Sequence, residues 1–336
     1  MVKFFRQTLF VFAAAILPAT LAIAATTPHK KHTTHKTASV KTESGKFVKR
    51  TIMVNGKRRV VVQRVVVASA AVAHPSVGDM AGLKHSQDPL YLQSNVAYVV
   101  DQSSSKVLFE KNSNVSLPIA SITKLMTSLV VVEANQDMNE LIEVTTDDLD
   151  KEKGTGSRLK MGAKLSRADM LHIALMSSEN RAASALGRSY VGGLPAFVLA
   201  MNAKAKQLGM TDTHYVDSSG LSSQNVASAR DLVKLINAAY RHPLIREYST
   251  DAKYVVNPSG RPLQYSTTNK LVANPDWDIG LQKTGYISEA GRCLVMQAMI
   301  EGRAVVMVFL DSKGKYSRLA DAGRIRKWLE TIKPQA

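Results

Sequence analysis

The chain has 336 residues, 44 Lys+Arg against 27 Asp+Glu, and a formal net charge of +17. A single cysteine, Cys293, excludes an intramolecular disulfide framework and a thiolate zinc cluster. The charge invites a nucleic-acid reading, but residues 25–86 hold twelve basic residues against two acids, whereas residues 87–336 hold thirty against twenty-five.

Residues 1–24 read as a secretory signal. Lys3 and Arg6 precede the apolar run Thr8 to Ile23, and Ala22-Ile23-Ala24 supplies small residues for cleavage. The run is shorter than the ~20 residues a bilayer helix needs, so a cleaved signal is expected rather than an anchor. An exported, periplasmic chain without DNA to bind follows. Residues 25–46 hold almost no large apolar side chain and cannot offset their ordering entropy by burial. His29, His32 and His35 within them read as a solvated tail, and no metal or cofactor is expected. Thr51 to Val54, Asn55-Gly56 and Lys57 to Val67 predict a basic hairpin over 51–67. A linker rich in Ala, Ser, Gly and Pro completes a basic, low-complexity arm over 25–90.

From there to residue 336 the pattern is that of one domain. Val96 to Val100 and Lys106 to Phe109 predict a hairpin. A helix is predicted over 120–133, with Ile122, Leu125, Met126, Leu129 and Val132 on one face. Ser166 reads as a helix cap. Further helices are predicted over 180–190, 194–208 and 228–240. Strands follow at Tyr254 to Val256, Ile279 to Gln282, Arg292 to Met299 and Val305 to Leu310, then a helix over 317–332. This order implies an α+β fold, an antiparallel sheet flanked by helices with a helical sub-lobe between its first and last strands.

Three short motifs stand in order. In Ser121-Ile-Thr-Lys124, residues three apart share a helix face, so Lys124 can serve the hydroxyl, which needs a base. The face opposite the buried stripe is equally an ordinary solvated one. In Ser178-Glu-Asn180, a hydroxyl and a carboxamide can point into one cleft, or Ser178 can simply cap a helix. Lys283-Thr-Gly285, at the end of its predicted strand, offers a cation and a hydroxyl to a carboxylate, or is only a strand end with a turn glycine.

Together, in this order and spacing, the motifs resemble the signature of penicillin-recognising serine enzymes. Pro118 to Thr127, Leu175 to Ala183, Ala200 to Met210 and Ala229 to Leu232 resemble the low-molecular-weight penicillin-binding proteins, in particular their D-alanyl-D-alanine endopeptidase branch. The likeness spans about 93–332 and implies a β-lactamase/transpeptidase-like fold. It further implies that Ser121 attacks a D-alanine carbonyl of a peptidoglycan stem peptide and that Lys124 takes the serine proton, kept neutral beside the cation Lys283. Ser178 would relay a proton to the leaving amine, and Asn180 would orient the acyl side. Lys283 and Thr284 would hold the carboxylate of the released D-residue. The Ser121 and Tyr286 N–H groups would hold the oxyanion. Arg318 lies near where some relatives place a second carboxylate ligand.

A β-lactamase of this type needs a second base in a Glu-x-x-Leu-Asn segment. Between Asn180 and Lys283 the only glutamate, Glu247, precedes Tyr-Ser-Thr instead. β-Lactams are therefore expected to act as inhibitors. The motifs do not separate endopeptidase from D-alanyl-D-alanine carboxypeptidase. The short stretch after Gly285 leaves no room for the β-rich domain and membrane helix of many carboxypeptidases, which favours the endopeptidase. A non-catalytic wall-binding or β-lactam-sensing protein is disfavoured by the intact Ser121, Lys124 and Ser178. The basic arm is expected to contact anionic lipid or envelope polymer. Cys293, Trp277 and Trp328 read as packing residues.

Overall fold

A computed structural model describes residues 46–54, 57–65 and 75–332. The chain divides into two units, Met1–Ser69 and Ala70–Ala336. In the first, β1 (Lys46–Val54) pairs antiparallel with β2 (Lys57–Val65), Val54 opposite Lys57. The hairpin thus starts five residues earlier than predicted. The leader, residues 25–45 of the arm and the Asn55-Gly56 turn lie outside the described residues.

The second unit begins with the short α1 (Val77–Met80) and the strands β3 (Ser94–Asp101), β4 (Val107–Lys111) and β5 (Leu117–Pro118). A helical section follows: α2 (Thr123–Glu133), the strand pair β6 (Leu141–Glu143) and β7 (Lys164–Ser166), α3 (Arg167–Met176), α4 (Asn180–Arg188) and α5 (Gly193–Gln207). Then come β8 (Val226–Ala227), α6 (Ala229–Tyr240), α7 (Pro243–Thr250) and the pair β9 (Lys253–Val256) and β10 (Leu263–Ser266). The chain closes with β11 (Asp278–Ile287), β12 (Gly291–Ile300), β13 (Arg303–Ser312) and α8 (Ser317–Thr331).

One antiparallel sheet, in the order β11-β12-β13-β3-β4, joins the first strands of this unit to the last. It is buried on both faces. Along β13, Val306, Val308 and Leu310 join the core shared with the helical section, while Val305, Met307 and Phe309 join the core beneath α8. Successive side chains of a strand point to opposite faces, so a sheet covered twice shows a continuous apolar run rather than an alternating one. The predicted α+β arrangement with a helical sub-lobe is therefore the observed one. Trp328 packs edge-on against Phe109 at 6.0 Å, and Cys293 is fully buried in β12.

Three local expectations are corrected. α2 has no solvated face: Thr123 through Val131 are all buried, because the helix is surrounded by α3, α4, α5 and α6. Its polar positions survive burial by bonding inward, Thr127 Oγ1 to the Ser218 carbonyl and Ser128 Oγ to the Leu125 carbonyl. Lys283-Thr-Gly285 lies in the middle of β11 rather than at its end, because pairing with β12 carries the strand on to Ile287. Helix α7 and strand β10 were not predicted. The first is only eight residues, opened by Pro243 at its first position. The second is four residues held by pairing with β9.

Candidate active site

Ser121 sits on a single tight turn, Ala120–Ile122, that runs into α2. Ala120, the residue before it, has φ +48°, a conformation costly for a side-chain-bearing residue. Two glycines hold that turn in place. A Cβ on Gly220 would run into the Ala120 carbonyl. A Cβ on Gly285 would lie 2.9 Å from the Ile119 carbonyl oxygen and 3.1 Å from the Ser121 nitrogen. β11 therefore lies directly against the backbone N–H of Ser121, which only a residue without a side chain permits.

Lys124 follows one turn later and is 1% exposed. Its Nζ lies 2.8 Å from Ser121 Oγ, 2.8 Å from Asn180 Oδ1 and 2.5 Å from the Ser219 carbonyl oxygen. Burial lowers its pKa to about 7, against the opposing pull of Asp217 and Glu179. The sequence-based expectation is of a buried lysine beside the cation Lys283. Desolvation is the largest cause, and Lys124 repels the neighbouring Lys283. That residue, 0% exposed, is held well below the ordinary lysine range by burial and then by the charges of Lys124 and Arg318.

The contacts of Lys124 dictate what a neutral amine can do there. The Asn180 and Ser219 oxygens can only accept. They take both amine hydrogens, leaving the lone pair for the Ser121 hydroxyl proton. Asn180 is fixed in turn by its amide group, which donates to Thr155 Oγ1 at 3.0 Å.

Ser178 has φ +64° and is not a helix cap. α4 is capped by Glu179, whose carboxylate accepts from the Arg181 N–H. Ser178 and Asn180 line an open cleft of about 470 Å³ together with Gly156, Ser157, Arg158 and Tyr265. A larger cavity, about 790 Å³, is lined by Lys84, Asp88, Tyr91, Lys111 and Lys313 and holds none of the motif residues. On β11, Thr284 Oγ1 lies 2.6 Å from Thr268 Oγ1. The Thr268 N–H bonds the Met176 carbonyl at the end of α3, just before Ser177-Ser178. The third motif is thus tied through one loop to the second.

Sequence reasoning missed the segment Asp217-Ser-Ser-Gly220. It supplies the Ser219 carbonyl to Lys124 and the Gly220 backbone to the nucleophile turn. Asp217 folds it by accepting from the N–H groups of Ser219, Gly220 and Ser222. Its Asp-Ser-Ser-Gly composition reads as a turn, but nothing local shows that the turn packs against Lys124, 95 residues earlier. Thr155 and Thr268 were missed for the same reason.

A profile of the family described as D-alanyl-D-alanine carboxypeptidase matches residues 83–314. The chain belongs to this family. A relative from Pseudomonas aeruginosa, named D-alanyl-D-alanine endopeptidase, is 45% identical over 267 residues, 79% of this chain and 84% of the relative. One of the same name from Escherichia coli is 45% identical over 245 residues, 72% of this chain and 79% of the relative. Among solved structures, a penicillin-binding protein of Listeria monocytogenes in its cefotaxime-bound form superposes with a TM-score of 0.64 at 28% identity. The match covers 72% of this chain and 98% of that one. The family resemblance read from the motifs therefore holds over residues 83–314.

Proposed function

We propose that this member of the family is a peptidoglycan D-alanyl-D-alanine endopeptidase that opens D-alanine–diaminopimelate cross-links through a serine acyl-enzyme and is inhibited by penicillin. The observation that carries the reading is the three-way contact of the buried Lys124 with Ser121, Asn180 and the Ser219 carbonyl. A lysine with a pKa of about 7 is half neutral at neutral pH, the condition for a general base.

In this reading, Ser121 Oγ bonds to the D-alanine carbonyl carbon as its proton passes to Lys124 Nζ. The carbonyl oxygen turns toward the N–H groups of Ser121 and Tyr286. The C–N bond then breaks, and the leaving amine takes a proton through Ser178. Asn180 orients the acyl side, while Lys283 and Thr284 hold the carboxylate of the departing D-residue. Water next attacks the acyl carbon, gives a proton to Lys124, and frees Ser121.

The carboxypeptidase reading uses the same atoms and remains the alternative. The shared name of the 45% identical relatives favours the endopeptidase. Digesting purified cross-linked peptidoglycan and weighing the products separates the two. Released monomers are expected. Loss of terminal alanine alone would make the enzyme a carboxypeptidase, and unchanged peptidoglycan would leave only a binding role.

The domain organisation belongs to the same proposal: a signal over 1–24, then a basic arm and the peptidase. The sequence predicts the arm over 25–90 and the peptidase over 91–336, but residues 75–90 lie in the second unit, where Ser76 bonds Asp311 and Asp88 pairs with Lys111. No helix among the described residues is long and apolar enough to cross a membrane, and the reading places the enzyme in the periplasm. The arm would hold it electrostatically to anionic lipid or polymer. Binding to cell envelopes should then fall steeply between low and high salt and be lost on deleting residues 25–69, the part of the arm outside the second unit. Unchanged binding by the deletion variant would sink the tether.

A further inference from the structure

Beside the third motif the structure carries a cation not assigned above, Arg292. Residues two apart on a strand share a face, so Thr284 and Tyr286 stand together on β11. Tyr286 is opposite Arg292 of β12 in the register. The Arg292 guanidinium lies over the Tyr286 ring, 4.3 Å from its centroid, and the ring is 56% exposed. Arg318, at the start of α8, is 7% exposed, and its Nε has no hydrogen-bond partner among the described residues. The charge of Arg292 is close enough to repel that of Arg318, and Arg318 in turn repels Lys283.

None of the ion pairs among the described residues involves Lys283, Arg292 or Arg318. Two other buried cations are paired with carboxylates: Lys111 with Asp88, and Arg167 with Glu140. Arg292 and Arg318 are thus two cations near the third motif that no carboxylate among the described residues pairs, and they can receive an anionic group beyond the one held by Lys283 and Thr284. Stacking holds the Arg292 fork in place and lowers the entropy lost when it binds a flat carboxylate.

The two candidate reactions differ in what departs on this side. A carboxypeptidase releases a single D-alanine with one carboxylate. An endopeptidase releases a diaminopimelate residue whose D-centre bears the equivalent carboxylate. That residue remains attached to a stem peptide with at least one further carboxylate at its own end. We propose that Arg292, steadied by Tyr286, is a specificity-determining residue that binds this further carboxylate of the departing strand and so favours cross-linked over single-stem substrates. The inference rests on the endopeptidase reading and adds to it the group that would read the second strand.

The test uses the full mature chain and three substrates: a soluble cross-linked stem-peptide dimer, the same dimer with the carboxylates of its departing strand beyond the D-centre amidated, and a single stem ending in D-Ala-D-Ala. For the free-acid dimer, Arg292→Ala should lower kcat/KM about 10- to 100-fold, the range of a charge-assisted hydrogen bond. Arg292→Lys should recover part of that loss. The wild type should lose a similar factor on amidation, and the variant almost nothing further. The ratio of dimer to single-stem cleavage should therefore collapse in the variant. A general structural defect would instead lower all substrates together. Equal losses on all three, or a wild type indifferent to amidation, would overturn the assignment while leaving the endopeptidase reading intact. A wild type that trims the single stem but leaves the dimer uncut would overturn both.

Discussion

Lys111 and Lys124 are both buried lysines, but their surroundings differ. Lys111, on β4, lies 2.9 Å from Asp88 Oδ2, and both side chains are nearly inaccessible. A second bond goes to the Leu92 carbonyl. Lys124 has three close oxygen neighbours and no carboxylate among them. Asp217, whose charge acts on it, spends its carboxylate on the backbone of its own loop. A buried charge is tolerated when it is paired. One left unpaired gives up its proton instead, and that is what a general base requires. Burial alone thus says little about function at a lysine; the presence or absence of a counter-ion decides it.

Three experiments can break or sharpen this contrast. The largest effect is expected at Lys124→Arg, which keeps the cation but cannot become neutral near pH 7. Acylation by a labelled penicillin should drop by about 10²- to 10⁴-fold, the contribution of a general base, while the circular dichroism of the folded chain is preserved. Normal labelling would remove Lys124 from the mechanism. At the other corner, Lys111→Met strands the Asp88 carboxylate in a buried site. Denaturant unfolding should show a loss of about 3–5 kcal/mol, while the labelling rate of the folded enzyme stays where it was. If labelling fell and stability did not, the two corners would have exchanged roles.

The smallest and most diagnostic effect is that of pH. Because the pKa of Lys124 is lowered to about 7, its basic form predominates above that value and is lost below it. The acylation rate should therefore level off above pH 7 and fall by about tenfold per unit on the acid side. A profile whose midpoint lay near the ordinary lysine range would show that the amine is not desolvated when it reacts.

How much of this was legible in the sequence varies by element. The strands of the sheet and α2 to α6 were readable to within a few residues, because their apolar spacing is local. Ser166 was readable as a cap, and its side chain does accept from the Asp169 N–H. The extent of β11 was not, since Lys283, Thr284 and Gly285 have no strand-forming pattern of their own and are held by Val295, Leu294 and Cys293 opposite. The burial of α2 on every side was not legible, because helical spacing shows which residues are apolar, not how many neighbours surround the helix.

By itself the sequence determined the order and chemical type of the three motifs, the family they resemble, and the split between a basic arm and a nearly balanced domain. Those properties depend on side-chain identity and short-range spacing, which are written along the chain. Only the tertiary structure decided that Ser219 and Gly220 close around Ser121 and Lys124. It also decided that desolvation is the largest influence on the base, and that Arg292 stands on Tyr286 beside the third motif. Desolvation and missing counter-ions belong to the space around a residue, and that space is built by segments far away in the chain.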